Sequence, residues 1–362
     1  MIERVHLVNF KGHAHTSLTL MPLTLLVGPN GSGKSSVLHA LQLLGRLHDD
    51  NSSWGAAELD DLCRHSEGVN GLWLRAEGRQ DGQERTLAFK GERAAVQAPG
   101  GWPEVWLREL LYDGPDGGRV AVQSSAVPSL SELGASRHWP DLADVELLRL
   151  DARRIAQVHA PTAEHPTVGL DGAGTAEVVA ALLLNDPARV ETIVEALRTL
   201  VPQVRRIGVQ QKRLESGPIG YQLSLDFVGA RKVPASGVSE GTLIALALVT
   251  RLQMAKRPRL LLLDDLEAGL HPSAQQRVMA MLRDLTEGSD PVQVVATTHS
   301  PFVIDGVAPE AVQVFALGED GAVATKPLSA HPDAAAWAGK LTAGQLWTLD
   351  DEQAWVAASG GA

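Results

Sequence analysis

Cysteine is nearly missing from this chain: Cys63 is the only one in 362 residues. One thiol builds neither a disulfide framework nor a cysteine-based metal site, and a reducing cytosol fits. Long apolar runs are missing too. The longest, such as Leu243 to Val249, are far too short to span a bilayer. The opening residues, Met1-Ile2-Glu3-Arg4-Val5-His6-Leu7, do not have the layout of a signal peptide. The expectation is a soluble, cytoplasmic protein with no membrane partner. Positive charge is scarce: 32 Lys and Arg stand against 43 Asp and Glu, a formal net charge of −11. That argues against a surface coated in cations for non-specific nucleic-acid binding, while leaving room for a local basic groove. There is no internal repeat, no low-complexity tract and no heptad pattern long enough for a coiled coil between Lys34 and Asp264.

What is present is a hydrophobic content of 44%, ample for a sizeable core in one large domain or two lobes. The most specific local feature is Gly28-Pro29-Asn30-Gly31-Ser32-Gly33-Lys34-Ser35, a complete phosphate-binding loop of the form G-x-x-x-x-G-K-[ST]. It follows an apolar run, Leu23 to Val27, and precedes a helical pattern, Ser36 to Leu47, which is the context the motif requires. Glycines let successive N–H groups turn inward on phosphate oxygens. Lys34 reaches the outer phosphates in such a loop, the Ser35 hydroxyl ligates Mg²⁺, and the helix that starts near Gly33 adds its positive end.

Periodicity predicts an α/β core with strands and helices alternating at both ends of the chain. Ile2 to Asn9 reads as a first strand, and Leu18 to Val27 as one or two more with Pro22 at the turn. Residues 49–70 read as polar and irregular. From Gly71 to about Arg149, short strand pieces (Leu72 to Ala76, Arg85 to Lys90, Val145 to Leu150) predict a small antiparallel sheet with mobile loops, for example around Pro115 to Gly118. Thr175 to Leu184 is helical. Asp186-Pro187 opens another helix, with Val190, Ile193, Val194, Leu197 and Leu200 as its apolar stripe. A strand pair follows near Val204 to Gln210 and Tyr221 to Phe227, then a helix over Ser239 to Ala255. Arg259 to Asp264, Val292 to Thr297 and Val312 to Leu317 read as further strands, with a helix over Ser273 to Glu287. The tail carries Trp337, Trp347 and Trp355, read either as rings packed onto the core or as a partner-docking surface.

Three further motifs carry chemistry. Leu260 to Leu263 followed by Asp264-Asp265 describes a buried parallel strand with carboxylates at the edge where α/β folds bind ligands. Asp264 there would hold Mg²⁺, directly or through water, and Asp265 sits where a base or water-positioning residue is needed for hydrolysis. The bland alternative is two acids that cap a strand. Ser236 to Thr242 opens a helix with Ser239 and Gly241 at its tip, an anion site or ordinary capping by Ser239. Thr297-Thr298-His299-Ser300-Pro301 follows a buried strand, so His299 is either a loop residue or one that reaches a terminal phosphate from the strand edge.

Together these motifs resemble the ABC-type ATPase heads of the SMC, RecF and OLD group, and within it the stand-alone prokaryotic AAA-domain ATPases related to OLD proteins. Val8-Asn9-Phe10-Lys11 looks like the group's N-terminal strand motif, and Ser239-Glu240-Gly241-Thr242 like a divergent signature sequence. Asp264 to Pro272 looks like the Walker B and D-loop region, and His299 matches the switch histidine. Arg149-Leu150-Asp151-Ala152-Arg153-Arg154 and Gly344-Gln345-Leu346-Trp347 are also similar to this branch. The resemblance covers nearly the whole chain and is strongest at 1–45 and 235–305. It implies a P-loop NTPase of ABC/SMC-head type over 1–329, with its core at 1–48 and 256–329. An antiparallel β subdomain would lie at about 70–150, a helical signature lobe at about 170–255, and a Trp-bearing tail at 330–362. ATP and Mg²⁺ are the implied cofactors. The implied nucleotide site comprises Asn9, Phe10, Lys11, Asn30, Gly31, Ser32, Gly33, Lys34, Ser35 and Ser36, with Ser239 and Gly241 given by a second copy. Ser35 and Asp264 are the implied metal ligands, and Asp265, His299 and Glu267 the implied catalytic groups. Two departures stand out. The group usually has Glu at position 265, and Asp, one methylene shorter, implies slow turnover with Glu267 as fallback. The signature also lacks the double Gly of transporter ATPases. Gln157 is a weak candidate for the group's glutamine loop.

The implied mechanism is a homodimer, or a higher oligomer, that sandwiches ATP between subunits and comes apart on hydrolysis. The leading expectation is a switch subunit of a prokaryotic DNA-related system, foremost anti-phage defence, with a separately encoded effector such as a nuclease. No further acid cluster follows the ATPase motifs and the chain ends soon after them, so a fused Toprim nuclease is not expected. The alternatives are a RecF-like repair ATPase that binds DNA itself, with Arg205-Arg206 and Lys212-Arg213 along a groove, and the ATP-binding subunit of a transporter. A non-catalytic ATP-binding scaffold is motivated by Asp265.

Overall fold

The alternation at the N-terminus becomes a hairpin. The computed structural model describes residues 1–47, 56–66, 68–95, 104–113, 120–124, 139–159, 166–214, 217, 219–254 and 256–357. Strands β1 (Ile2–Phe10) and β2 (His13–Thr19) pair antiparallel, with Val5, Leu7 and Phe10 buried. Strand β3 (Leu23–Val27) is buried at every position, as expected of a strand covered on both faces. Helix α1 (Lys34–Arg46) follows, its Val37, Leu38, Leu41 and Leu44 forming the buried stripe. The stretch read as irregular contains α2 (Ala56–Leu62). Its polar composition hides two good helix formers, Ala57 and Glu58, followed by Leu59, which is fully buried. Strands β4 (Gly71–Gln80) and β5 (Gln83–Ala95) are longer than the sequence pieces implied. They join through Asp81-Gly82 at φ 53° and 79°, the positive pair that a tight hairpin turn with right-handed twist requires. Strands β6 (Glu104–Asp113) and β7 (Val120–Ser124) continue the sheet. The loop expected around Pro115 to Gly118 lies outside the described residues.

Next come α3 (Pro140–Ala143), β8 (Val145–Leu148) and α4 (Ala152–Ala156). Helices α5 (Thr175–Asn185) and α6 (Pro187–Leu200) follow. The Asp186 side chain accepts from the Arg189 N–H at 3.2 Å, and all five residues of the expected α6 stripe are buried. Strands β9 (Val204–Arg213), β10 (Ile219–Phe227) and β11 (Ala230–Pro234) precede α7 (Glu240–Leu252). The chain continues through β12 (Leu260–Leu263), α8 (Pro272–Glu287), β13 (Gln293–Thr297) and α9 (Pro301–Ile304). It closes with β14 (Val312–Leu317), β15 (Val323–Pro327), α10 (Ala334–Trp337), α11 (Ala343–Trp347) and α12 (Glu352–Trp355).

These elements divide into two compact units: Met1–Glu146 with Pro258–Leu262 and Thr286–Ala362, and Leu147–Arg257 with Leu263–Leu285. The first unit holds an antiparallel sheet in the order β2-β1-β4-β5-β6-β7. It also holds the core sheet, in the order β15-β14-β3-β13-β12-β8, to which β12 contributes Leu260–Leu262 and β8 contributes Val145 and Glu146. The sequence placed Val145 to Leu150 among the antiparallel pieces. In the fold β8 belongs to the core sheet, where the Asp144 carbonyl just before it accepts from the N–H groups of Arg259 and Leu260. Strand β3 is flanked in parallel by β13 and β14. The second unit packs α5, α6 and α7 with the three-stranded sheet β11-β10-β9. In the tail, Trp355 is buried while Trp337 is 40% exposed, so the three rings divide between core and surface. Among the described residues no helix is long and apolar enough to cross a membrane.

Candidate nucleotide site

In the first unit, residues 28–33 turn the chain from the end of β3 into α1. Gly28, Gly31 and Gly33 take φ of 137°, 77° and 95°, which L side chains rarely adopt. At two of them there is no room either: a Cβ would stand 2.3 Å from the Phe315 carbonyl oxygen at Gly28 and 2.8 Å from His13 Nε2 at Gly33. Asn30 and Gly31 form the exposed crown. Ser32 is buried, and its Oγ has no hydrogen-bond partner. Gly33 is the N-cap of α1 and offers no capping side chain, which leaves the positive helix end open to an anion. Lys34 folds back, its Nζ donating to the carbonyls of Gly28 at 2.8 Å and Pro29 at 2.7 Å. Ser35 and Ser36 are half-buried in the first turn.

Strand β13 sets Thr297 beside Leu26 of β3, and the Thr298 N–H donates to the Leu26 carbonyl at 3.1 Å. His299 therefore leaves the sheet from the same edge as Gly28. Asn9 and Lys11 flank the β1–β2 turn at φ 53° and 50°. Phe10 between them is fully buried, so its ring is packing and only its backbone faces the turn. Lys11 Nζ lies 2.9 Å from His39 Nδ1 on α1, and burial lowers the Lys11 pKa. Arg64, just past α2, clamps this turn: its N–H donates to the Asn9 carbonyl and its Nη1 to the Gly12 carbonyl, both at 2.8 Å.

In the second unit, Asp264 follows β12 directly, and its N–H donates to the Leu148 carbonyl at 2.9 Å. Asp264 is buried, and Asp265 sits at φ 57°. The residues behind them, Leu148, Ile244, Leu248 and Val278, line a small apolar hollow. Glu267 is half-buried in the tight turn that follows, its carbonyl accepting from the Leu270 N–H at 2.9 Å. Ser239 caps α7 through the Thr242 N–H. Gly241 lies so close to Gly269 that a Cβ on it would stand 2.4 Å from the Gly269 carbonyl oxygen. Hence Ser239 and Gly241 share one surface with the loop that carries Asp265 and Glu267. Gln157 accepts from Arg154 Nη1 at 2.9 Å.

Comparison with known proteins fits this geometry. A family described as "AAA domain, putative AbiEii toxin, Type IV TA system" matches residues 133–305, and one described as "AAA ATPase domain" matches residues 1–71. The Smc head bound to the C-winged helix domain of ScpA is 18% identical, with TM-score 0.55 over 91% of this chain and 98% of that one. The Smc head with an extended coiled coil bound to the C-terminal domain of ScpA, derived from Pyrococcus furiosus, is 16% identical, with TM-score 0.54 over 91% and 96%. In fold, this chain is similar to the SMC head. The SMC head domain of Thermotoga maritima is also similar, at 19% identity and TM-score 0.49 over 90% of this chain and 98% of that one. No curated protein matches the chain.

The loop of the first unit fits the phosphates of a nucleotide. The uncapped start of α1, the close-packed glycines and the orphaned Ser32 hydroxyl supply donors for phosphate, and the Ser35 hydroxyl is a hard oxygen ligand of the kind Mg²⁺ takes. In the second unit, taken by itself, the Asp264 carboxylate is another such oxygen ligand. Sequence reasoning missed two neighbours. His13 is fully buried beneath the loop, its Nε2 donating to the Gly33 carbonyl at 3.1 Å and its Nδ1 accepting from Thr16 Oγ1 at 2.9 Å. Burial, reinforced by the charges of Arg64 and Lys11, lowers its pKa to about 4 although the Gly33 bond raises it. The second is Arg149, whose Nη2 is 3.3 Å from Asp265 Oδ2. A histidine in an alternating strand has no local signal, whereas Arg149 lay in a segment already noted for its resemblance.

Proposed function

We propose that the head is an ATP-hydrolysing switch that dimerises around its nucleotide. The observation that carries this reading is the Gly28–Ser35 loop, with its three left-handed glycines at the uncapped start of α1. Lys34 binds the outer phosphates, exchanging its contacts with the Gly28 and Pro29 carbonyls for phosphate oxygens. Asn30, Gly31, Ser32 and Gly33 direct N–H groups at phosphate, and Ser36 closes the first turn of the helix. Asn9, Lys11 and the backbone of Phe10 flank the nucleotide. Ser35 and Asp264 would each offer an oxygen ligand to Mg²⁺, which would neutralise phosphate charge. Asp265 orients and deprotonates the attacking water, with Glu267 as its substitute, and His299 senses the terminal phosphate. Ser239 and Gly241 offer the positive end of α7 to the nucleotide of a second copy.

The test is phosphate release by the purified protein against Lys34→Ala, with mass by light scattering in the presence and absence of ATP. Turnover equal to that of Lys34→Ala would make the head a scaffold rather than an enzyme. The family description over 133–305 names a toxin and a type IV TA system, which supports a place in a toxin–antitoxin or defence system; that this system is anti-phage and works through a separate effector such as a nuclease is part of the proposal. The two Smc heads bound to ScpA support a protein partner.

A second reading, direct DNA contact, is favoured by four exposed cations on β9: Arg205, Arg206, Lys212 and Arg213. Binding that weakens steeply with salt and is lost on neutralising Arg206 and Lys212 would support it.

A further inference from the structure

Arg149 is the first residue past β8, and its backbone is held on both sides. Its N–H donates to the Leu170 carbonyl at 2.8 Å, while the preceding Leu148 carbonyl accepts from the Asp264 N–H at 2.9 Å. This pairing places the guanidinium over the acid pair, with Nε 3.8 Å from Asp264 Oδ2 and Nη2 3.3 Å from Asp265 Oδ2. The two partners differ in exposure. The Asp264 side chain is 6% exposed and that of Arg149 is 67% exposed, so the cation approaches a nearly buried carboxylate from the solvent side. Neither contact is bidentate. The Arg149–Asp265 contact is exposed on both sides and 3.3 Å long, so it adds little net stability and exchanges readily. It still places a positive charge on the oxygens that a divalent cation would use.

We propose that Arg149 is a positioning residue that sets the divalent-cation affinity of the Asp264–Asp265 pair by competing for their solvent-facing oxygens. The proposal deepens the ATPase reading and rests on it for its meaning, but the competition itself requires no nucleotide. A cation that binds the pair must displace the guanidinium or bind against its charge.

The test uses the full chain and Mn²⁺ as a spectroscopic stand-in for Mg²⁺. Free Mn²⁺ is counted by its electron paramagnetic resonance signal, and the site-specific part is the binding lost in Asp264→Asn. Arg149→Ala is expected to tighten that part by roughly three- to tenfold, the change due to removing one screened unit charge about 4 Å away. Arg149→Lys is expected to return it toward wild type, and the thermal midpoint is expected to stay put in both variants. Unchanged or weaker Mn²⁺ binding in Arg149→Ala overturns the proposal, as does binding that Asp264→Asn leaves intact. Nucleotide binding by the same proteins, measured in EDTA with a fluorescent ATP analogue against Lys34→Ala, reports separately on the ATPase reading.

Discussion

His13 Nε2 donates to the carbonyl of Gly33 from beneath the phosphate loop, at 3.1 Å. A carbonyl only accepts, so Nε2 carries the proton and Nδ1 is left to accept from Thr16. The buried imidazole thus links β2 to the last glycine of the loop. Removing it as His13→Ala leaves the carbonyl without its donor and opens a hole under a close-packed turn. The expected cost is roughly 2–4 kcal/mol in urea unfolding. Nucleotide affinity is expected to fall by roughly fivefold, from loss of one positioning hydrogen bond. Full retention of both quantities would show that the loop holds its shape unaided.

The same histidine predicts a pH dependence. Burial holds its folded pKa at about 4, below the ordinary imidazole value of 6.5. Between these values the unfolded chain takes up the proton and the folded chain does not, so stability is complete above about pH 6.5 and is lost as pH falls toward 4. The full swing is roughly 3 kcal/mol. Urea titrations from pH 7 to 4 should show this decline, and His13→Gln should flatten the part of the curve that His13 contributes. An equal slope in the variant would assign the decline to the carboxylates.

Which features the sequence revealed depended on how local their physics was. The phosphate loop, the Asp186-Pro187 start of α6 with its five-residue stripe, and the Ser239 cap are all determined within a few residues, and all are present in the fold. The turn at Asp81-Gly82 was equally local, yet the strands on either side were read too short because polar residues on the exposed face of β5 broke the apolar pattern. What remained hidden depends on chain distance. His13 meets Gly33 across 20 residues and Arg149 meets Asp265 across 116, and nothing near either residue announces its partner. The assignment of β8 to the core sheet is likewise a matter of topology, not of composition.

Gly241 and Ser239 separate packing from recognition. At Gly241 a Cβ would stand 2.4 Å from the carbonyl oxygen of Gly269, so Gly241→Ala must push α7 away from the loop that carries Asp265. A loss of roughly 1–3 kcal/mol is expected, together with weaker hydrolysis. Ser239 is exposed at the helix tip, so a longer side chain there extends into solvent at the cost of the cap on the Thr242 N–H, about 1 kcal/mol. Ser239→Arg should therefore melt within a few degrees of wild type while failing to dimerise with ATP. A variant that still doubles its mass with ATP would argue against the arrangement in trans.

Asp265 stands at φ 57°, a conformation that costs most L residues about 1 kcal/mol and that Asp and Asn tolerate best. Asp265→Asn keeps the backbone geometry and the volume and removes only the charge. Stability should then be unchanged to within about 0.5 kcal/mol, since the ion pair lost to Arg149 is long and exposed. Hydrolysis, which needs a base for the attacking water, should slow by roughly 10²- to 10⁴-fold, and an ATP-bound dimer should accumulate. Thermal melting, phosphate release and light scattering on one preparation separate these effects. Slow turnover at an unchanged melting temperature assigns the role to the carboxylate. Unchanged turnover moves it to Glu267, which lies two residues further along the same loop and is half-buried there.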